Sequence, residues 1–390
     1  MINTIKRAPN DEFTFDLFKQ LLSTVDADFE AYYIWSNPPK RLKRILETTQ
    51  FTRPNVVIGV KDLLDQWLVY NWWEERAQAG TRLIDELASR HPDKNFIIFT
   101  SLENIQAEEV KSPNIQFVCW GGDITNQYDQ YPAVEPVLDK NLYSEKPFIS
   151  LNRNCREHRV VALSYLYGHG YNDHGYITFL SARPGTGQDP DLDSYLSWDF
   201  ESIQADFFVD HRQAIKQGYL KFCASKSDEE KDENDLADEY DIYEDNNDNV
   251  TNFNLNLRSM YRHSFVEIVS ESSFAAPGYN VTEKTLNSIY GCNFPIILGG
   301  QGIVQLLRDI GFDVFDDIID HGYDTIGNPF NRIINAFERN RQLLLDPRHA
   351  QQQWSACRDR FVANVDVARN QLYPWYQNRA QAQFRQLKWL

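Results

Sequence analysis

The chain has few of the features that tie a protein to a metal, a membrane or a polyanion. Its five cysteines, Cys119, Cys155, Cys223, Cys292 and Cys357, are scattered through 390 residues. No CxxC or other ligand spacing links them, and the count is odd, which argues against structural zinc or a disulfide framework and for a reducing compartment. No apolar run approaches the eighteen or so residues that a spanning helix needs. The start, MINTIKRAPNDEFTFDLF, has no signal-peptide core, so the expectation is a soluble cytoplasmic protein, in a host cytoplasm if viral. Basic residues are outnumbered: 39 Lys and Arg face 56 Asp and Glu, for a net charge of −17. Such a chain offers no broad surface for nucleic acid, which needs concentrated cations. About −11 of that charge lies between Asp228 and Asp248, inside a low-complexity stretch, 225–249, that reads as an acidic loop or insertion. No internal repeat is evident, and the glycines of 168–175 are too irregular for a phosphate-loop or dinucleotide fingerprint.

What is present is a globular composition, 42% hydrophobic and 14% aromatic, in a chain long enough for two full cores. The most informative stretch is 264–300. Phe265 to Val269 and Phe294 to Leu298 are apolar, β-branched runs of strand length. Between them Thr282 is a good N-cap, and Glu283 to Tyr290 has helical composition, with Gly291 expected at the C′ position. Strand, loop, helix and strand in this order build a parallel sheet, and ligands of such sheets sit beyond the carboxyl ends of the strands. Glu271, Glu283 and Lys284 are expected at that edge. A lysine at a helix N-terminus is repelled by the dipole unless an anion is near, and a diphosphate would supply one. The glutamate beside it can accept from two neighbouring sugar hydroxyls.

This stretch resembles the donor-binding segment of the family 10 glycosyltransferases, the α-1,3/1,4-fucosyltransferases. There a strand ends in a Glu-Asn-Ser type motif, and a loop leads into Tyr-Val-Thr-Glu-Lys before a helix and an apolar strand carrying Pro. Here the first motif reads Ser270-Glu271-Ser272-Ser273 and the second Tyr279-Asn280-Val281-Thr282-Glu283-Lys284. Pro295 and Gly299 follow at matching distance. Asn280 stands where the family has its tyrosine, with Tyr279 displaced by one, and Ser272 replaces the Asn. The resemblance implies an α/β protein of GT-B architecture, two Rossmann-like domains facing a cleft, that transfers a sugar with inversion from a nucleotide diphosphate donor. GDP-fucose is the donor it implies, with no further cofactor and no essential metal. The absence of a membrane segment places the resemblance nearer soluble microbial or viral forms.

Strand-like runs at 31–35, 55–60, 95–100 and 115–120, with helix-like segments at 63–75 and 81–90, outline an N-terminal acceptor domain over 1–145. Trp67, Trp72 and Trp73 read as its core or an interface. Gly121-Gly122 would turn sharply after a strand and bring Asp123 to the carboxyl edge as a candidate general base. Glu103, after the preceding strand, competes for that role and loosely resembles a family Gly-Glu-Asn loop.

The most basic place in the chain opens a donor domain over 146–350: strand Pro147 to Leu151, then Asn152, Arg153, Arg156, His158 and Arg159 at a helix start. Clustered arginines at a first strand and helix start suit a diphosphate. Arg153, Arg156 and Arg159 are the possible counterparts of a family arginine that meets the donor phosphates; Arg153 or Arg156 is favoured, and the choice stays open. His169 and His174 read as surface residues. Asp189 to Asp193 sits in a Pro/Gly-rich loop and not behind a strand, which speaks against a metal-dependent Asp-x-Asp. Segments 329–345 and 351–372 read as amphipathic helices, and 351–390 as C-terminal helices packing back across the domains.

Two other readings exist: a GT-B transferase of another family with a different nucleotide sugar, and a non-catalytic glycan- or nucleotide-binding protein. The first predicts tighter UDP than GDP binding. The second predicts donor binding with no turnover.

Overall fold

The structure is a computed structural model. It describes residues 2–4, 12–23, 26–34, 49–60, 85–100, 112–119, 135–152, 157–179, 206–224, 258–271, 274 and 281–389. The readings at Trp67, Trp72, Trp73, Glu103, Asp123, Arg153, Arg156, 189–193, 225–249 and Tyr279 lie outside these residues. The architecture is mixed α/β with two all-parallel sheets. The chain divides into two compact units, one of Met1–Pro132, Ser272–Thr282 and Arg369–Leu390, the other of Ala133–Glu271 and Glu283–Ala368. Among the described residues no helix is long and apolar enough to cross a membrane.

The first unit is built on β1 (Ile2–Thr4), β2 (Phe29–Ile34), β3 (Asn55–Val60), β4 (Asn95–Thr100) and β5 (Ile115–Cys119), paired in that consecutive order. Runs such as NFIIFT carry no alternation because both faces of the sheet are covered, and every residue of β4 is buried. On one face Ala31, Val57, Ile97, Phe99 and Val118 pack under α1 (Glu12–Ser23) through Phe18, Leu21 and Leu22. On the other, Phe51 meets Tyr32, His91 and Phe96 edge-on, at centroid separations of 4.9 to 5.9 Å.

The second unit holds β6 (Phe148–Asn152), α2 (Glu157–Gly168), β7 (Gly175–Phe179), α3 (Asp206–Ala224), α4 (Arg258–Arg262), β8 (Val266–Ser270), α5 (Glu283–Tyr290) and β9 (Phe294–Leu298). Five further helices follow: α6 (Ile303–Ile310), α7 (Pro329–Arg339), α8 (Arg341–Leu345), α9 (Pro347–Ala356) and α10 (Arg358–Asn370). Its strands are ordered β7-β6-β8-β9. The chain leaves β6 toward β7, returns to the opposite side of β6 as β8, and continues outward to β9. Right-handed crossovers then place α2 and α5 on opposite faces. The reversal between β6 and β8 is a topological switch point, the position where parallel sheets take ligands.

The last helix, α11 (Leu372–Arg385), belongs to the first unit. Ala380 and Phe384 enter the core beneath α1, with the Phe384 ring 5.5 Å from that of Phe99. The segment is also tied to the sheet by hydrogen bonds. Asn95 and Gln116 side chains donate to the Lys388 carbonyl at 2.6 and 2.7 Å, and the Cys119 N–H donates to Gln383 Oε1 at 2.8 Å.

Several expectations change. α5 spans the expected residues, but the left-handed residue at its end is Cys292 (φ 52°) and not Gly291. Asn293 N–H donates to Ser288 O and Cys292 N–H to Ile289 O, the Schellman pattern with Cys292 at C′. Gly291 is needed for room instead, since a Cβ there would lie 2.3 Å from the Tyr261 ring. Segment 329–345 is two helices, α7 and α8. Asn340 interrupts it by donating to Ala336 O and Asp320 O while accepting from the Asp320 N–H. Segment 351–372 also breaks, at Cys357 between α9 and α10. His169 is not a surface residue: it is half-buried, 3.0 Å from His211 through Nε2 and Nδ1, and packed on Tyr165.

Candidate functional site

Strand pairing at the switch point is incomplete. β6 pairs with β7, and β8 with β9, over five residue pairs each. β6 and β8 pair only at Phe148↔Val266 and Ile149↔Glu267, so the ladder stops short of the carboxyl ends. Continued register would bring Asn152 opposite Ser270. Both are buried there, and each leaves a side-chain oxygen, Asn152 Oδ1 and Ser270 Oγ, with no hydrogen-bond partner among the described residues. The Asn152 amide is oriented by Ser150, to whose carbonyl and Oγ its Nδ2 donates at 3.2 and 3.0 Å. Orphaned buried acceptors are uncommon, and here two belong to residues at the carboxyl ends of the parted strands.

The first turn of α2 reaches across to the end of β8. His158 Nε2 is 2.9 Å from the Glu271 carbonyl, and Arg159 donates to the Ser270 carbonyl at 3.1 Å. Both side chains are buried. The Arg159 contact serves the Ser270 carbonyl at the place where the β6–β8 ladder has stopped, and it holds a guanidinium at the sheet edge. From the sequence His158 belonged to the basic cluster without a distinct role, and Arg159 was one of three possible phosphate-contacting arginines; their phase on α2 makes them the described bridge to β8.

α5 starts beside the same edge. Thr282 is buried immediately before it, and Glu283 and Lys284 pair with each other, their side chains 17% and 23% exposed. The pair is thus largely enclosed, unlike a solvated surface pair. Glu271 is fully buried and accepts from Thr285 Oγ1 at 2.6 Å, which fixes the end of β8 to the first turn of α5. Thr285 was not singled out in the sequence, and a hydroxyl three residues past Thr282 was the available signal.

Lower on β8, burial pushes the Glu267 carboxyl up to about 8, against hydrogen bonding from Tyr261 that favours the charged form. A neutral acid at that depth lets the strand carry a polar residue inside the core.

The structure thus brings Asn152, Glu271, Thr282, Glu283 and Lys284 to the carboxyl edge of one parallel sheet and adds His158, Arg159, Ser270 and Thr285. Chemically this edge offers two cations, Arg159 and Lys284, the first turns of two helices, two glutamates, Glu271 and Glu283, and the buried side-chain oxygens of Asn152 and Ser270. Among the described residues no group of three or more His, Cys, Asp or Glu has the geometry to hold a metal ion. No protein-family model, no curated protein and no solved structure matches the chain.

Proposed function

We propose that the protein is an inverting glycosyltransferase of GT-B architecture that moves a sugar from a nucleotide diphosphate donor to an acceptor hydroxyl, with GDP-fucose as the donor the sequence resemblance implies. The observation that carries this reading is the parted β6–β8 edge, with Asn152 Oδ1 and Ser270 Oγ, at the ends of those strands, buried and without a hydrogen-bond partner among the described residues. Two parallel-sheet units, which GT-B requires, support it further.

In this reading the donor diphosphate lies over the two helix starts, where backbone N–H groups and partial positive charge favour an anion. Lys284 and Arg159 take up the charge that develops on the leaving diphosphate, with Arg153 or Arg156 as further contributors. This is the task a divalent metal performs in other transferases. Glu283 accepts from donor hydroxyls, the orphaned acceptors take O–H groups of the nucleoside sugar, and Thr282 and Tyr279 are the further donor-binding residues that the resemblance implies. Glu271, held by Thr285, adds negative potential where the transferred sugar gains positive character. An acid of the first unit, Asp123 or Glu103, removes the acceptor proton. The acceptor oxygen bonds to the anomeric carbon as the bond from that carbon to the diphosphate oxygen breaks, so configuration inverts.

The test is thermal shift of the full chain with GDP, UDP, ADP and CMP, in wild type and Lys284→Ala. GDP alone is expected to raise the melting temperature. Lys284→Ala should weaken that binding on the order of 10- to 100-fold, the loss of one charge-assisted hydrogen bond of about 1.5–3 kcal/mol. A flat response to all four nucleotides, or a mutant that responds like wild type, sinks the reading.

A further inference from the structure

Beyond the carboxyl end of β9, at the start of α6, the second unit opens a cavity of about 650 Å³ that shares no lining residue with the edge described above. That volume is in the range of small-molecule sites, roughly 300–1,000 Å³, but the lining is unusual. Only Ile318 and Ile319 are large and apolar, and the walls are otherwise polar or charged.

The charges come in pairs. Arg308 holds Asp316 through two bonds, Nε to Oδ2 at 3.0 Å and NH2 to Oδ1 at 2.6 Å. Arg360 donates to Asp317 at 2.8 Å, and Arg339 to Asp320 at 2.9 Å. Hydrogen bonds from Arg308 and Arg360 keep Asp316 and Asp317 ionised, below the usual carboxylate range. Arg308 lies in the wall, while Arg339 and Arg360 reach Asp320 and Asp317 from outside it, Arg360 being shared with Asp313, so three of the wall's carboxylates are partnered by guanidinium groups.

Asp324 stands apart. It is 4% exposed, lines the cavity, and its Oδ1 has no hydrogen-bond partner among the described residues. Burial raises its pKa, against backbone N–H groups of Val304 and Gln305 in the first turn of α6 and the charge of the buried Arg332. The chain's own carboxyl group thus occupies this helix start, so the cavity is not an anion site. An apolar ligand would strip water from the ion pairs without replacing it. What remains unmet is an acceptor in need of a donor, beside arginine–aspartate pairs that offer donor and acceptor side by side. Vicinal hydroxyls present the complementary pattern.

We propose that this cavity binds a neutral, hydroxyl-rich small molecule, a sugar unit, with Asp324 Oδ1 accepting from one ligand hydroxyl and the Arg308–Asp316 pair engaging a neighbouring two. The inference is independent of the donor site at α5.

Saturation-transfer NMR on the full chain tests it, with glucose, galactose, mannose and fucose as free probes and lactose and maltose as disaccharides. At least one probe is expected to bind saturably, in the millimolar range. Binding should weaken by at least about 10-fold in Gln305→Trp, which places an indole in the cavity from an exposed position on α6. Asp324→Asn is expected to weaken it too, and Lys284→Ala to leave it unchanged. A disaccharide that binds more tightly than its monosaccharides identifies the end of a glycan as the ligand; equal affinities identify the free sugar. The proposal is overturned if no probe binds, if Gln305→Trp binds like wild type, or if Lys284→Ala abolishes the signal.

Discussion

Single residues carry much of this molecule's chemistry because they are held where water cannot compensate for them. His169 shows the effect on stability. Burial lowers its pKa below the ordinary 6.5, and the neighbouring His211 on α3 adds to the shift, while Glu338 from α7 works against it and Arg341 from α8 works with it. A histidine whose folded pKa is depressed contributes stability that is full above its unfolded pKa and is lost as pH falls below about 6.5. The melting temperature should therefore drop from pH 7 to pH 5, with a shallower drop in His169→Gln; equal slopes for the two proteins would show that the pair is not responsible. The same residue marks where sequence reading fails. A histidine after a glycine looks exposed in one dimension, and only the packing of α3 from 40 residues away buries it. Among the arginines, the sequence favoured Arg153 or Arg156, whereas the one described at the edge is Arg159. Helix phase relative to β8 decides that contact, and the sequence does not contain it. Asn152, Glu283 and Lys284 were legible because a strand end and a helix start each fix a residue's place at a sheet edge.

Elements were legible where their environment is uniform. β8, α5 and β9 were read almost to the residue, since strands buried on both faces are mostly apolar, with Glu267 the one charge inside β8, and the intervening helix is short. The order of strands was not legible. Neither the reversal between β6 and β8 nor the consecutive order of β1 to β5 leaves a local signature, because pairing is decided between distant segments. The crossing of α2 and α3 is of the same kind. A Cβ on Gly218 would sit 1.8 Å from the Ser164 carbonyl oxygen, and one on Gly168 would sit 2.2 Å from that of Ala214. Both obstacles are helix backbone, so neither can move aside as a side chain would. Gly218→Ala is expected to cost about 3 kcal/mol or more, lowering the melting temperature by roughly 6 °C or more for a unit of this size. A change within 1 °C would mean that the helices are not in this contact. Asn340 gives the opposite lesson: its amide interrupts what hydropathy alone reads as one helix from 329 to 345.

At the scale of the whole chain, the first unit is assembled from both ends of the sequence. Ala380, Phe384 and the partly buried Leu387 and Trp389 complete a core whose other members lie between Phe18 and Val118. Each large side chain so buried stabilises by about 1.5–3 kcal/mol, a large part of the 5–15 kcal/mol that holds a typical domain. A chain ending at Gln371 should keep 133–368 resistant to limited proteolysis while fragments from 1–132 disappear early, as followed by mass spectrometry. Wild-type protection of 1–132 in that truncated chain would show that α11 is dispensable. On the ribosome the dependence becomes a matter of timing. At about 5–20 residues per second, the segment from β1 to β5 waits roughly 10–50 s for the helix α11 that closes it. The unit encoded in the middle can meanwhile be finished. The usual N-terminal-first order of domain completion is thereby reversed, and the opening third of the nascent polypeptide, with its β4 sequence NFIIFT still uncovered, is the part that a chaperone would be expected to hold.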